Sequence, residues 1–274
     1  MASETHVTPR ELGGVPSWNW RGLAGKVLPA LLFFLVEAQG DFVASTAQTN
    51  VPRIARGVQP LRAGQGVSFY WRRLHSLLGI IPLGAFLLEH FVSNSEALKG
   101  VEGYKQVVVL LNALPLKTIL EWGFIFLPLA FHALYGLYIW WRGKSNVSTY
   151  PWLGNWCYLA QRLSALYLLF FVSWHVWSLR FSGTVLAEQP GDAFLKVQQQ
   201  LAAFGGFGVV LYALGVIAAA WHLGYGLFLF SAKWGIVTGQ KSQRRFQLLT
   251  VLVSLAFVAL GAAALLAFET IKVN

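Results

Sequence analysis

The chain has 274 residues, 56% of them hydrophobic and only 12% charged, which is about half the charged share of a typical soluble domain. Its net charge is +10, yet the Lys and Arg gather between apolar blocks and not along a groove-sized face, so membrane orientation accounts for them better than nucleic acid does. A lone Cys157 excludes an intrachain disulfide, a four-thiolate iron–sulfur cluster and a c-type haem, and Met1, the only Met, leaves no internal thioether for a haem iron.

Residues 1–67 read as an N-terminal cytoplasmic or surface extension. Within it the apolar run Val27–Val36 is short for a membrane span and is flanked by Lys26 and Glu37. With Arg53, Arg56, Arg62, Arg72 and Arg73 following, an amphipathic or surface-docked segment is expected. A signal peptide fits less well, because no clear small-x-small cleavage site follows.

Residues 68–274 carry five nearly uncharged stretches, each long enough to cross hydrocarbon, which takes roughly 20 residues of helix. They run from about Leu74 to Ser93, Thr118 to Trp141, Tyr158 to Leu179, Gly206 to Ala232 and Phe246 to Phe268. Lipid offers the backbone no hydrogen bonds, so all five are expected to be helices. The predicted fold class is an all-α integral membrane protein, a five-helix transmembrane bundle. If the residues before the first helix are inside, the inner regions hold fifteen Lys and Arg and the outer regions six. That asymmetry predicts a cytoplasmic N-terminus and an outer C-terminus.

Of six His, His6 lies in the polar tail and His75 at the expected inner surface. The others each sit inside a different helix: His90, His132, His175 and His222. An ionisable side chain at membrane depth is costly to strand and so marks a functional site. At 1.5 Å per residue, His90 and His175 lie about 26 Å from the inner surface, and His132 and His222 about 14 Å. The four form two levels about 12 Å apart, each drawing on two helices. That is the arrangement by which a bundle clamps haem iron from both faces of the macrocycle, here two haems b. The competing reading makes them core histidines bonding between helices, as in a transporter or structural membrane protein.

Other residues support the haem reading. Gly136 and Gly226 stand four residues after His132 and His222, where a small residue leaves room for a macrocycle or simply lets helices pack. Pro128, one turn before His132, frees a backbone carbonyl. Arg72, Arg73, Arg162 and His75 could meet haem propionates, or serve as ordinary interfacial anchors. Trp174 and Trp221, each beside a ligand candidate, are expected to pack on haem. The fifth stretch has no His, and its Gly261 with Ala262 to Ala264 points to close helix packing.

At these residues the sequence resembles a known family. R-R-L-H-S-L-L-G-I-I-P at 72–82, F-L-P-L-A-F-H-A-L-Y-G-L-Y at 126–138 and Q-R-L-S at 161–164 carry the likeness. So do F-V-S-W-H-V-W at 171–177, W-H-L-G-Y-G-L at 221–227 and K-W-G-I at 233–236. The chain is similar to the cytochrome b membrane-anchor subunit of bacterial succinate:quinone oxidoreductases and fumarate reductases, the type with one five-helix anchor and two haems. Residues 1–60 depart from that pattern.

The resemblance implies a proximal, higher-potential haem between His132 and His222 and a distal, lower-potential one between His90 and His175. It implies a flavoprotein with FAD and an iron–sulfur subunit docked on the cytoplasmic face of a bacterial inner membrane. Electrons from succinate would then reach a quinone, menaquinone, through the haems. Near the distal level, Ser93, Asn94, Glu121 and Arg180 are the polar candidates for a quinone site. Glu121 reads more readily as an interfacial partner of Lys117 one turn away. A dihaem subunit of another membrane dehydrogenase is the alternative within electron transfer.

Overall fold

The computed structural model describes residues 65–182 and 192–272; the expected surface-docked segment within residues 1–60 lies outside the described residues. Among the described residues all regular structure is helical. Five stretches are long and apolar enough to cross a membrane: Ser68–Asn112, Lys117–Arg142, Leu153–Phe181, Phe207–Lys233 and Gln240–Thr270.

The first stretch is composite. Helix α1 covers Gln65–Ile80 and α2 Pro82–Ser95, followed by a 3-10 turn at Glu96–Lys99 and helix α3 at Gly100–Asn112. Pro82 begins α2 because it has no N–H to offer the preceding turn. The remaining spans are α4 (Lys117–Arg142) and α5 (Leu153–Phe181), then α7 (Phe207–Lys233) and α8 (Gln240–Thr270). A shorter helix, α6, covers Ala193–Ala202.

Two spans contain a π-helical stretch. In α4 it covers Leu120–Phe126, and the Leu127 N–H reaches back five residues to the Trp122 carbonyl. Pro128 follows directly and cannot donate, so the register slip falls where a backbone bond is already lost. In α5 it covers Trp177–Phe181 and closes with Ser182 N–H on the Trp177 carbonyl at 2.8 Å.

Contacts between helix ends define two ends of the bundle. At the basic end, Arg73 donates to the Lys233 carbonyl at 3.1 Å, and Trp234 Nε1 donates to the Ser76 hydroxyl at 3.1 Å. At the far end, α3 and α6 pack over the termini of the spans. Tyr104, Phe194, Val197, Leu201, Tyr212 and Phe268 form a buried cluster there, and Gln198 donates to the carbonyls of Phe268 and Ile271, each at 2.7 Å.

Between the ends, packing is close where side chains are small. Ser254 donates to the Ala220 carbonyl at 3.0 Å, joining α8 to α7. A Cβ at Gly261 would lie 2.6 Å from a Val216 methyl and 2.9 Å from Phe91 Cε1, so that glycine lets α8 meet both α7 and α2. Large apolar side chains face outward, among them Leu134 (68% exposed), Phe170 (67%) and Leu252 (63%). Such an inverted surface suits a chain whose solvent is hydrocarbon.

Candidate functional site

The structure brings the four intramembrane histidines together two by two. His132 on α4 and His222 on α7 have ring centroids 6.2 Å apart with planes at 89°. His90 on α2 and His175 on α5 are 5.8 Å apart at 84°. One iron about 2 Å from a nitrogen on each side, plus the half-width of each ring, separates two axial imidazoles by about 6 Å. Both pairs therefore have the spacing that one intervening iron requires.

A neighbouring polar group meets Nδ1 of each imidazole, and at His132 it selects the free nitrogen. His132 Nδ1 lies 3.0 Å from the His75 carbonyl oxygen. A carbonyl only accepts, so Nδ1 carries the proton and Nε2 keeps its lone pair. His222 Nδ1 lies 3.2 Å from the Ser164 hydroxyl, and Gln161 Nε2 donates to the His222 carbonyl at 3.1 Å. His175 Nδ1 lies 3.1 Å from the Tyr212 hydroxyl. Metal-bound imidazoles characteristically hold their other nitrogen in this way. At His90 the neighbour is Asn94, whose amide donates more closely to the His90 carbonyl, at 2.7 Å, than to the ring, at 3.5 Å.

His75 lies against the His132 ring, stacked with centroids 4.1 Å apart and planes 8° from parallel. Arg73 lies over the rings of Phe69 and Trp234 at 4.7 and 4.8 Å. Arg162 donates to the Tyr158 hydroxyl and to the carbonyls of Trp140 and Gly143, tying α5 to the end of α4. Arg72 is exposed beside them, its Nε 3.4 Å from the Ser68 hydroxyl.

Trp174 packs among Phe171, Phe204 and Tyr212. Trp221 stacks on Tyr225 at 5.4 Å, and its buried Nε1 has no hydrogen-bond partner among the described residues. The nearest side-chain atom to a Cβ at Gly226 is Gln161 Nε2, at 3.5 Å; at Gly136 it is His75 Nε2, at 3.1 Å.

The far-end polar candidates divide into two groups. Ser93 donates to the carbonyls of Glu89 and His90 within its own helix, while Asn94 accepts from the Tyr104 hydroxyl at 3.3 Å. Glu121 and Arg180 meet across α4 and α5 at 3.1 Å, with Lys117 3.9 Å from the same carboxylate. The carboxylate thus bonds across the helices more closely than it does to the lysine one turn away. Both residues of the interhelical pair lie within the π-helical stretches.

Three residues of this neighbourhood carry no role in the sequence reading. Ser164 and Gln161 belong to the word Q-R-L-S, and a hydroxyl and an amide one turn apart inside an apolar span were the available signal. Tyr212 gave none, because a tyrosine near a helix end reads as part of an interfacial belt.

Fold and site together define a class: an all-helical, multi-pass membrane protein whose bundle presents imidazoles in opposed pairs, the framework of a membrane cytochrome. Residues 142–261 match the family of succinate dehydrogenase/fumarate reductase transmembrane subunits. The chain is also 38% identical over 200 residues to the succinate dehydrogenase cytochrome b558 subunit of Bacillus subtilis (strain 168), covering 73% of this chain and 96% of that protein. The chain belongs to this family of cytochrome b membrane-anchor subunits.

Proposed function

We propose that the chain anchors a bacterial succinate dehydrogenase and links its iron–sulfur subunit to a membrane quinone through two haems b. One haem is assigned to His132 and His222, the other to His90 and His175. When bound, the haems supply one-electron carriers between the peripheral subunits and the quinone. The observation that carries this reading is the separation within each imidazole pair, 6.2 and 5.8 Å.

The chain's own residues hold and orient. Ser164 and Tyr212 hold the Nδ1 atoms of His222 and His175, and the His75 carbonyl holds that of His132. Trp221 Nε1 is a buried donor of the sort that a haem carboxylate satisfies. Arg72 is assigned to propionate contact at the basic end, while Arg73 and Arg162 join helix ends. The positive-inside asymmetry supports a cytoplasmic basic end, where the flavoprotein and iron–sulfur subunits would dock. The Glu121–Arg180 pair, with Phe126 and Phe181 against each other at 5.8 Å, is assigned to the quinone headgroup, menaquinone. A carboxyl group there can take up a proton from water and pass it to a reduced quinone oxygen.

Haem stoichiometry of the purified complex tests the reading. Wild type should show a b-type reduced-minus-oxidised spectrum with two haems per chain. His90→Ala and His132→Ala should each lose one haem, and a different one. A wild-type complex with no b-type band would sink the proposal, and loss of the same haem in both variants would sink the pairing.

A further inference from the structure

His132 reaches its orienting carbonyl only because the facing helix leaves a notch for it. A Cβ built at Gly79 would lie 2.5 Å from His132 Cε1 and 2.9 Å from Nδ1. The obstacle is a rigid ring already bonded to the His75 carbonyl at 3.0 Å and stacked on the His75 ring at 4.1 Å. The contact is reciprocal: a Cβ at Gly136 would lie 3.1 Å from His75 Nε2. Both helices carry the same word, His-x-x-x-Gly, as His75 to Gly79 on α1 and His132 to Gly136 on α4. Residues four apart share one helix face. In two antiparallel helices, each histidine therefore faces the other helix's glycine.

From this we infer that the two His-x-x-x-Gly words form a reciprocal clasp that sets the tautomer and rotation of His132, and so orients the haem between His132 and His222. The inference rests on the haem assignment proposed above. His75 and Gly79 act through His132 and are positioning residues. The His75 carbonyl sets which nitrogen is free, its ring is a flat stop against rotation, and Gly79 opens the space that both contacts need.

The test uses the whole complex purified from membranes. Haem is counted, and the low-spin ferric electron paramagnetic resonance signals are recorded, because their g-values report the angle between the two axial imidazole planes. Gly79→Ala should reduce haem from two to one per chain and leave the His90–His175 signal unchanged. Gly84→Ala is the control: its added carbon would meet only Leu223 Cδ1, at 3.4 Å, and the Gly79 carbonyl, at 3.6 Å, and both haems should remain. His75→Ala should keep both haems but shift the g-values of the His132–His222 haem alone, with His75→Phe restoring part of the shift. Two haems with wild-type g-values in Gly79→Ala would overturn the clasp. If that variant fails to accumulate, unshifted g-values in His75→Ala would overturn it instead. A wild-type complex without haem would remove the haem reading and this role together, whereas intact wild type with an unaffected Gly79→Ala removes the clasp alone.

Discussion

Tyr212 and Ser164 stand behind two of the proposed axial ligands. Each places a hydroxyl within 3.2 Å of a ligand candidate's Nδ1. Partners of metal-bound imidazoles typically change metal affinity about 10–100-fold when removed. Tyr212→Phe should therefore speed transfer of the haem proposed at His90 and His175 to apomyoglobin by that factor while leaving the other haem's rate alone. Equal effects on both haems would show that the hydroxyl serves general packing. Glu121 poses a different question, because its ion pair with Arg180 could be purely structural. Positioned acids typically contribute about 10²–10⁴-fold to a rate. Glu121→Gln is expected to slow quinone reduction by about 10²-fold, with haem content and succinate–dye reduction unchanged. Unchanged quinone reduction would leave the pair a helix tie.

At the scale of the element, α7 and α8 depend on close approach. A Cβ at Gly224 would lie 2.9 Å from the Thr250 backbone carbonyl and closer still to the Ser254 hydroxyl. Overpacking of this kind costs about 1–3 kcal/mol. Gly224→Ala should lower the thermal midpoint followed by haem absorbance, and adding Ser254→Ala should recover part of the loss, because the serine yields while the backbone does not. The spans themselves were legible as apolar blocks, since a segment in lipid must satisfy its own backbone. Their ends were less so. The fifth block was expected from Phe246, but the helix starts at Gln240, because helical hydrogen bonding continues past the hydrocarbon through Arg244 and Arg245. Helices α3 and α6 were missed because neither is long enough to read as a span. What orders them is burial of Tyr104 and Phe194 against Phe268, a contact between distant parts of the sequence.

For the molecule as a whole, the distribution of charge predicts which end faces the cytoplasm. Fifteen basic residues against six predict that the basic end does. Cys157 is buried and therefore a weak background for thiol labelling. With a membrane-impermeant maleimide on intact cells, Lys272→Cys should react and Arg142→Cys should react only after lysis. The reverse pattern would invert the topology and move the proposed docking face.

Sequence alone determined what depends on local backbone geometry. Apolar length marked the spans, and the rise per residue of a helix gives each histidine an expected depth that matches His132 with His222 and His90 with His175. Tertiary packing decided rotation about each helix axis, and with it which atoms meet. It turned His132 onto His75 and Gly79, joined Glu121 to Arg180, and tied Arg73 and Arg162 into helix ends. Depth follows from hydrogen bonds four residues apart along one chain segment. Rotation follows from how side chains far apart in sequence fill shared space, and no stretch read alone contains that information.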